Sequence, residues 1–132
     1  QGALDSQEET WKRISQALGW TKWQLETQED IKKAANQLLE RGIQNVIITL
    51  GDKGAYFANN NESFMVNAFD LKNKVVDTTG AGDAFNGAFS VALANKLKHK
   101  DALIFANKVA GISTTRLGAA VSMPTLKEVD NY

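Results

Sequence analysis

Cysteine is missing from all 132 residues. Its absence excludes disulfides, thiolate metal sites and cysteine nucleophiles, and fits a reducing compartment. Charge imbalance is missing as well: 15 lysines and arginines offset 15 aspartates and glutamates, with no block of like charge. A nucleic-acid surface or an anionic-membrane stripe therefore has no electrostatic footprint, and neither partner is expected. The longest apolar runs, such as NVIITL at 45–50, fall far below the roughly 20 residues of a membrane-spanning helix. No signal-peptide pattern opens the chain. Tryptophan is absent beyond Trp23, the three being Trp11, Trp20 and Trp23. That shift in composition places an expected boundary near Glu26, between an N-terminal helical segment, 1–26, and a domain, 27–132. The chain starts at Gln1 rather than methionine, so processing, tag removal or a fragment is expected. What remains, 43% hydrophobic and 23% charged residues, is the balance of an ordinary globular domain with a real core.

Periodicity then divides the chain. Residues 6–19 read as a short helix, with Ser6 and Glu9 as a capping box, Trp11, Ile14 and Leu18 on one face, and Gly19 as the stop. A second helix is expected over 27–41, where Ile31, Ala34, Ala35, Leu38 and Leu39 form a stripe ended by Gly42. NVIITL reads as a strand covered on both faces, which implies a central, mostly parallel sheet. GDKG and NNNES are turns that set AYFAN and FMVNAF as a peripheral antiparallel hairpin. A third helix carries Phe85, Ala88, Phe89, Ala92 and Leu93 and ends near Leu97. KHK follows as a solvated linker with His99, the only histidine, at the surface. A fourth helix spans 101–115 on Leu103, Phe105, Ala106, Val109, Ala110 and Ile112. Pro124, the only proline, suits the first turn of a last short helix with Leu126 and Val129. The class is α/β.

The stretch VDTTGAGDAFNGAF, 76–89, carries the chemistry. Two readings of its glycine turn stay open on local grounds. Asp83 can be an acid that caps or charges a helix N-terminus, as aspartate commonly does. Alternatively, the unpaired N–H groups of that terminus, approachable because of Gly80 and Gly82, cradle a phosphate beside Asp83. Two familiar phosphate loops fail on spacing. A dinucleotide fingerprint needs a third glycine where Phe85 stands, and a Walker loop needs lysine and a hydroxyl residue where Ala88 and Phe89 stand.

DTTGAGDAFNGAF does resemble, residue for residue, the second signature of the ribokinase family, the pfkB-type sugar kinases. Three further segments are similar in order and spacing: VIITLGDKGAYF, IKKAANQLLERGIQ and FANKVAGISTTRLGAAVSMPT. The resemblance covers 27–132 and implies the C-terminal half of a ribokinase-like α/β domain, with a mostly parallel sheet flanked by helices and a peripheral hairpin. It implies ATP-dependent phosphoryl transfer to a hydroxyl of a sugar or related small molecule, in a cytoplasmic protein. By that resemblance Asp83 is the base that takes the hydroxyl proton, and Gly80, Ala81 and Gly82 shape the anion hole. Thr49, Gly51 and Gly54 correspond to the turn along phosphates and ribose, and Asn107 to the residue near adenine. For Thr49, a strand residue satisfied by its neighbours is an equal alternative. Asn107, polar between Phe105 and Val109 on an otherwise apolar helix, favours a pocket role. The cofactors implied are ATP with Mg2+, and K+ held by the Asp77 carboxylate, the carbonyls of Thr79, Ser113, Arg116 and Gly118, and the Ser122 hydroxyl.

The family's N-terminal half, with its sugar-contacting residues and the Asn-x-x-Glu motif that helps organise magnesium, has no recognisable counterpart. SQEE at 6–9 carries serine where that motif has asparagine, so no magnesium role is transferred. The alternative to a kinase is thus a truncated nucleotide-binding or assembly module without turnover. Either way the apolar edge at 46–50 needs cover, and the expectation is self-association or a missing N-terminal half.

Overall fold

A computed structural model describes residues 27–72 and 74–132. The helix expected over 6–19 and the tryptophan-bearing segment lie outside the described residues. The chain divides into two compact units, one running to Ile48 and including Ala58–Glu62, the other made of Thr49–Phe57 and Ser63–Tyr132.

In the first unit, helix α1 spans Gln28–Glu40. It starts there because Thr27 closes a capping box: its hydroxyl accepts from Asp30 N at 3.2 Å, and Asp30 Oδ2 accepts from Thr27 N at 3.1 Å. Ile31, Ala34 and Ala35 form its buried stripe. It stops at Arg41 and Gly42 in a Schellman arrangement, with Gly42 N donating to Leu39 O and Ile43 N to Leu38 O. Strand β1, Asn45–Thr49, follows. The turn over 59–62 is held by Asn59, whose Oδ1 accepts from Asn61 N at 2.9 Å and Glu62 N at 2.8 Å, the side-chain mimicry of a backbone turn that favours asparagine there.

Strands β2, Ala55–Asn59, and β3, Ser63–Val66, complete a small antiparallel sheet with strand order β1-β2-β3. The expected hairpin is therefore β2–β3. The most buried strand is β2, however, where Ala55, Tyr56, Phe57 and Ala58 are all buried, whereas Val46 alone is buried in β1. A β-branched run reports apolar character and not how many neighbours a strand has. β1 stands at one end of the strand order, and no strand among the described residues adjoins its outer edge.

The second unit is built on two helices packed against each other, α2, Ala81–Ala94, and α3, His99–Ser113. Alanines at 84, 88 and 92 on α2 and at 102 and 106 on α3 are buried, and such small side chains let two helix backbones approach closely. α3 begins earlier than its apolar stripe indicates. His99 is its first residue, is half-buried, and stacks on Phe57 at 4.7 Å, with Phe57 stacked in turn on Phe64 at 4.9 Å. The histidine thus belongs to the packed aromatic layer and not to a solvated linker, because the flat imidazole offers a face as well as a charge. Helix α4, Leu126–Asp130, is capped by Thr125 in a box with Glu128, so Pro124 lies just outside the cap rather than in the first turn. Val129 is buried and Leu126 exposed.

Candidate active site

The second unit holds a cavity of about 640 Å³. Thr49, Gly51, Gly54 and Asn107 all line it, and so do Ala81 and Gly82 from the first turn of α2. Thr49 and Asn107, 58 residues apart in sequence, thereby share one wall system. Gly80 and Asp83 are not among the lining residues.

The first turn of α2 explains its own glycine. Gly80 caps the helix at φ +77°, and a Cβ there would stand 3.0 Å from the Ala119 Cβ. A left-handed cap pressed against a neighbouring loop leaves room only for glycine. Ala81 N–H is engaged by Thr78 O at 3.2 Å, whereas no acceptor among the described residues serves Gly82 or Asp83 N–H. These two are orphan donors of a helix start. Asp83 is exposed, and its carboxylate has no hydrogen-bond or ion-pair partner among the described residues.

Behind the turn, Asp77 ties three segments together. Its Oδ1 accepts from Thr79 Oγ1 at 2.7 Å and Thr79 N at 3.0 Å, while Oδ2 accepts from Gly118 N at 3.0 Å. Thr114 O accepts from Val76 N at 2.7 Å and Asp77 N at 3.0 Å. The Thr79 hydroxyl, then the Thr79 and Gly118 N–H groups, hold the Asp77 carboxyl below the usual aspartate range. Of the residues expected around a monovalent cation, Thr79 and Gly118 are thus both bonded directly to Asp77. Arg116 is joined to Ser122 by Nε donating to its carbonyl at 3.0 Å. Ser122 is fully buried and donates its hydroxyl hydrogen to Ala119 O at 2.6 Å, which leaves its oxygen lone pairs for another partner. Ser113 is buried too, with its hydroxyl donating to Ala110 O at 2.6 Å.

The closing loop is locked by Arg116, which donates from both terminal nitrogens to Glu128, at 3.3 Å to Oε1 and 3.0 Å to Oε2. The Arg116 bond, then the Thr125 N–H, hold the Glu128 carboxyl below its ordinary value; the same bond raises that of Arg116. Both depressed acids, Asp77 and Glu128, bind protons more weakly when folded. Their stabilisation is present above the unfolded values, about 3.9 and 4.3, and is lost as pH falls through the lower folded values. Thermal melting of the wild type is expected to decline as pH falls below about 4. An Asp77→Asn, Glu128→Gln double variant should show a shallower decline; an identical acid limb in the two proteins would contradict the linkage.

Sequence reasoning missed one wall of the cavity. β3 ends at Val66, so the Asn67–Leu71 part of what reads as strand and turn is an irregular connection, and Ala68, Phe69 and Leu71 from it line the cavity with Gly111 of α3. No periodicity marks these residues.

The family model described as pfkB family carbohydrate kinase matches residues 13–126. The ribokinase of Schizosaccharomyces pombe is 49% identical over 106 residues, covering 79% of this chain and 33% of that protein. In structure, the chain is similar to Thermotoga maritima ribokinase, with TM-score 0.80 and 42% identity over 94% of this chain and 39% of that one. Arabidopsis thaliana ribokinase, solved in complex with ribose and ATP, matches with TM-score 0.80 and 33% identity over 92% of this chain and 38% of that one. These likenesses show a ribokinase-like fold, of which the described residues carry the small sheet and its helices. The chain spans about a third of the length of the curated relatives it matches.

Proposed function

Because this chain belongs to the pfkB family of carbohydrate kinases, we propose that it carries the nucleotide-binding and base-bearing part of an ATP-dependent kinase acting on a hydroxyl of a sugar or related small molecule. The observation that supports this most is the shared cavity: the turn at Thr49, Gly51 and Gly54, the α3 residue Asn107, and Ala81 and Gly82 from the first turn of α2 all line it.

In this reading the nucleotide lies in the cavity with its terminal phosphates toward Gly82. The Gly82 and Asp83 N–H groups and the positive end of α2 offset the charge spread over the transferring phosphoryl oxygens. Asp83, with no competing partner among the described residues, accepts the proton of the acceptor hydroxyl. The O–H bond breaks, the oxygen bonds to the γ-phosphorus, the bond to the β-phosphate oxygen breaks, and ADP leaves. Asp77, ionised by its three hydrogen bonds, and the Ser122 oxygen have the hard-donor chemistry that suits K+, with the Thr79, Ser113, Arg116 and Gly118 carbonyls as the other expected ligands. Mg2+ would neutralise phosphate charge, and no described residue is assigned to it. No helix among the described residues is long and apolar enough to cross a membrane, and a cytoplasmic setting is proposed.

The alternative reading is a nucleotide-binding or assembly module without turnover. Both readings require binding. Calorimetric titration with ATP and ADP is expected to give weak but saturable heats, and absence of heat at millimolar nucleotide would count against both. Transfer of phosphate from ATP to a sugar separates them.

A further inference from the structure

Asn107 spends its amide hydrogens on backbone. Its Nδ2 donates to Asn67 O at 3.2 Å and to Val66 O at 3.4 Å, and a primary amide has two N–H groups to give. The acceptors are the last residue of β3 and the first residue beyond it. The same backbone is met by Gly54, where a Cβ would collide with Val66 O, Asn67 C and Ala68 N. Past Val66 the strand ladder ends. The connection then has one other side-chain hydrogen bond among the described residues, from Lys72 N to Asp70 Oδ1 at 2.9 Å, which is local and does not reach α3. Yet this connection supplies Ala68 and Phe69 to the cavity.

We propose that Asn107 is a positioning residue that clips the exit of β3 to α3 and thereby sets the Ala68–Phe69 wall of the nucleotide cavity. The clip stands on the hydrogen bonds themselves; only its consequence for nucleotide rests on the function proposed above. Irregular backbone with few bonds of its own opens readily, and two side-chain donors anchored on a packed helix supply what the ladder no longer does. The amide oxygen remains available to a ligand.

The test replaces Asn107 by Asp, which keeps the shape and turns both donors into acceptors facing two carbonyls. Amide hydrogen exchange over residues 66–72 is expected to accelerate about tenfold, with α2 and the rest of α3 unchanged, and ADP affinity to fall about tenfold. Acidification protonates the introduced carboxyl and restores one donor, so the ratio of variant to wild type should return toward one in both readouts. A role in packing alone gives no such recovery. Asp52, Asp70, Lys72 and Lys108, the charged groups around the cavity and its Phe69 wall, are common to both proteins and cancel in the ratio. If the introduced charge unfolds the chain, Asn107→Ala makes the same predictions for exchange and affinity without it. Unchanged exchange over 66–72 would overturn the clip, and faster exchange with unchanged ADP affinity would overturn its role in the wall. A wild type that binds no ADP would remove the nucleotide reading and leave the clip to be decided by exchange.

Discussion

Asp83→Asn is expected to lower phosphoryl transfer by about a hundredfold or more in any active preparation, the usual scale for loss of a positioned general base. The substitution is nearly isosteric, so it removes proton affinity and charge while leaving shape. Its cost to the fold should be small. Asp83 is exposed and has no partner among the described residues, which leaves only its favourable interaction with the start of α2, about 0.3–1 kcal/mol. Nucleotide affinity should not fall, since a carboxylate beside phosphates repels them, and its removal favours anion binding. A variant that folds, binds ADP and turns over at the wild-type rate would take the role of base away from Asp83.

Gly54→Ala should be the most damaging single methyl group in the described chain. Gly54 adopts φ +100° and ψ −137°, a region that residues with a side chain rarely enter. Its Cβ would be driven onto the Val66 carbonyl oxygen, 2.7 Å from Ala68 N and 2.8 Å from Asn67 C. All three are backbone atoms, in a segment whose Val66 and Asn67 carbonyls also accept from Asn107, so the neighbour cannot rotate away as a side chain would. Strain and overpacking together are expected to cost roughly 3 kcal/mol or more, against a total stability of about 5–15 kcal/mol for a domain. Gly51→Ala in the same turn is the control. It also has positive φ, at +59°, but open space around the added methyl, so it should cost only about 1–2 kcal/mol. Denaturant unfolding of the two variants separates clash from conformation; equal costs would show that the close approach to Val66 is not rigid.

Much of this arrangement is written in local pattern. The stripe of Ile31, Ala34 and Ala35, the glycine turn ahead of Phe85 and Ala88, and the asparagines of the β2–β3 turn each follow from spacing or from a turn residue's own hydrogen bonds. The resemblance of 77–89 to a family signature then assigned chemistry that spacing alone left open between a capped helix and a phosphate cradle. What was illegible is non-local. The wall at Ala68 and Phe69 has no period of its own, and Asn67, which leads into it, is bonded by Asn107, 40 residues away in sequence. Arg116 and Glu128 pair across the Ala120–Ser122 turn, and ordinary loop charges give no sign of that. His99 looked solvated between two lysines because a stacking partner such as Phe57 cannot be inferred from neighbours in sequence.

The central claim is that one cavity receives a nucleotide with its phosphates at the first turn of α2. Backbone amide chemical shifts, followed during titration with ADP and separately with adenosine, test it most directly. Both ligands should perturb residues around Gly51, Gly54 and Asn107, and ADP alone should perturb Gly82 and Asp83, whose N–H groups have no acceptor among the described residues. Shifts at Gly82 and Asp83 that are the same with adenosine, or absent with saturating ADP, would contradict the account.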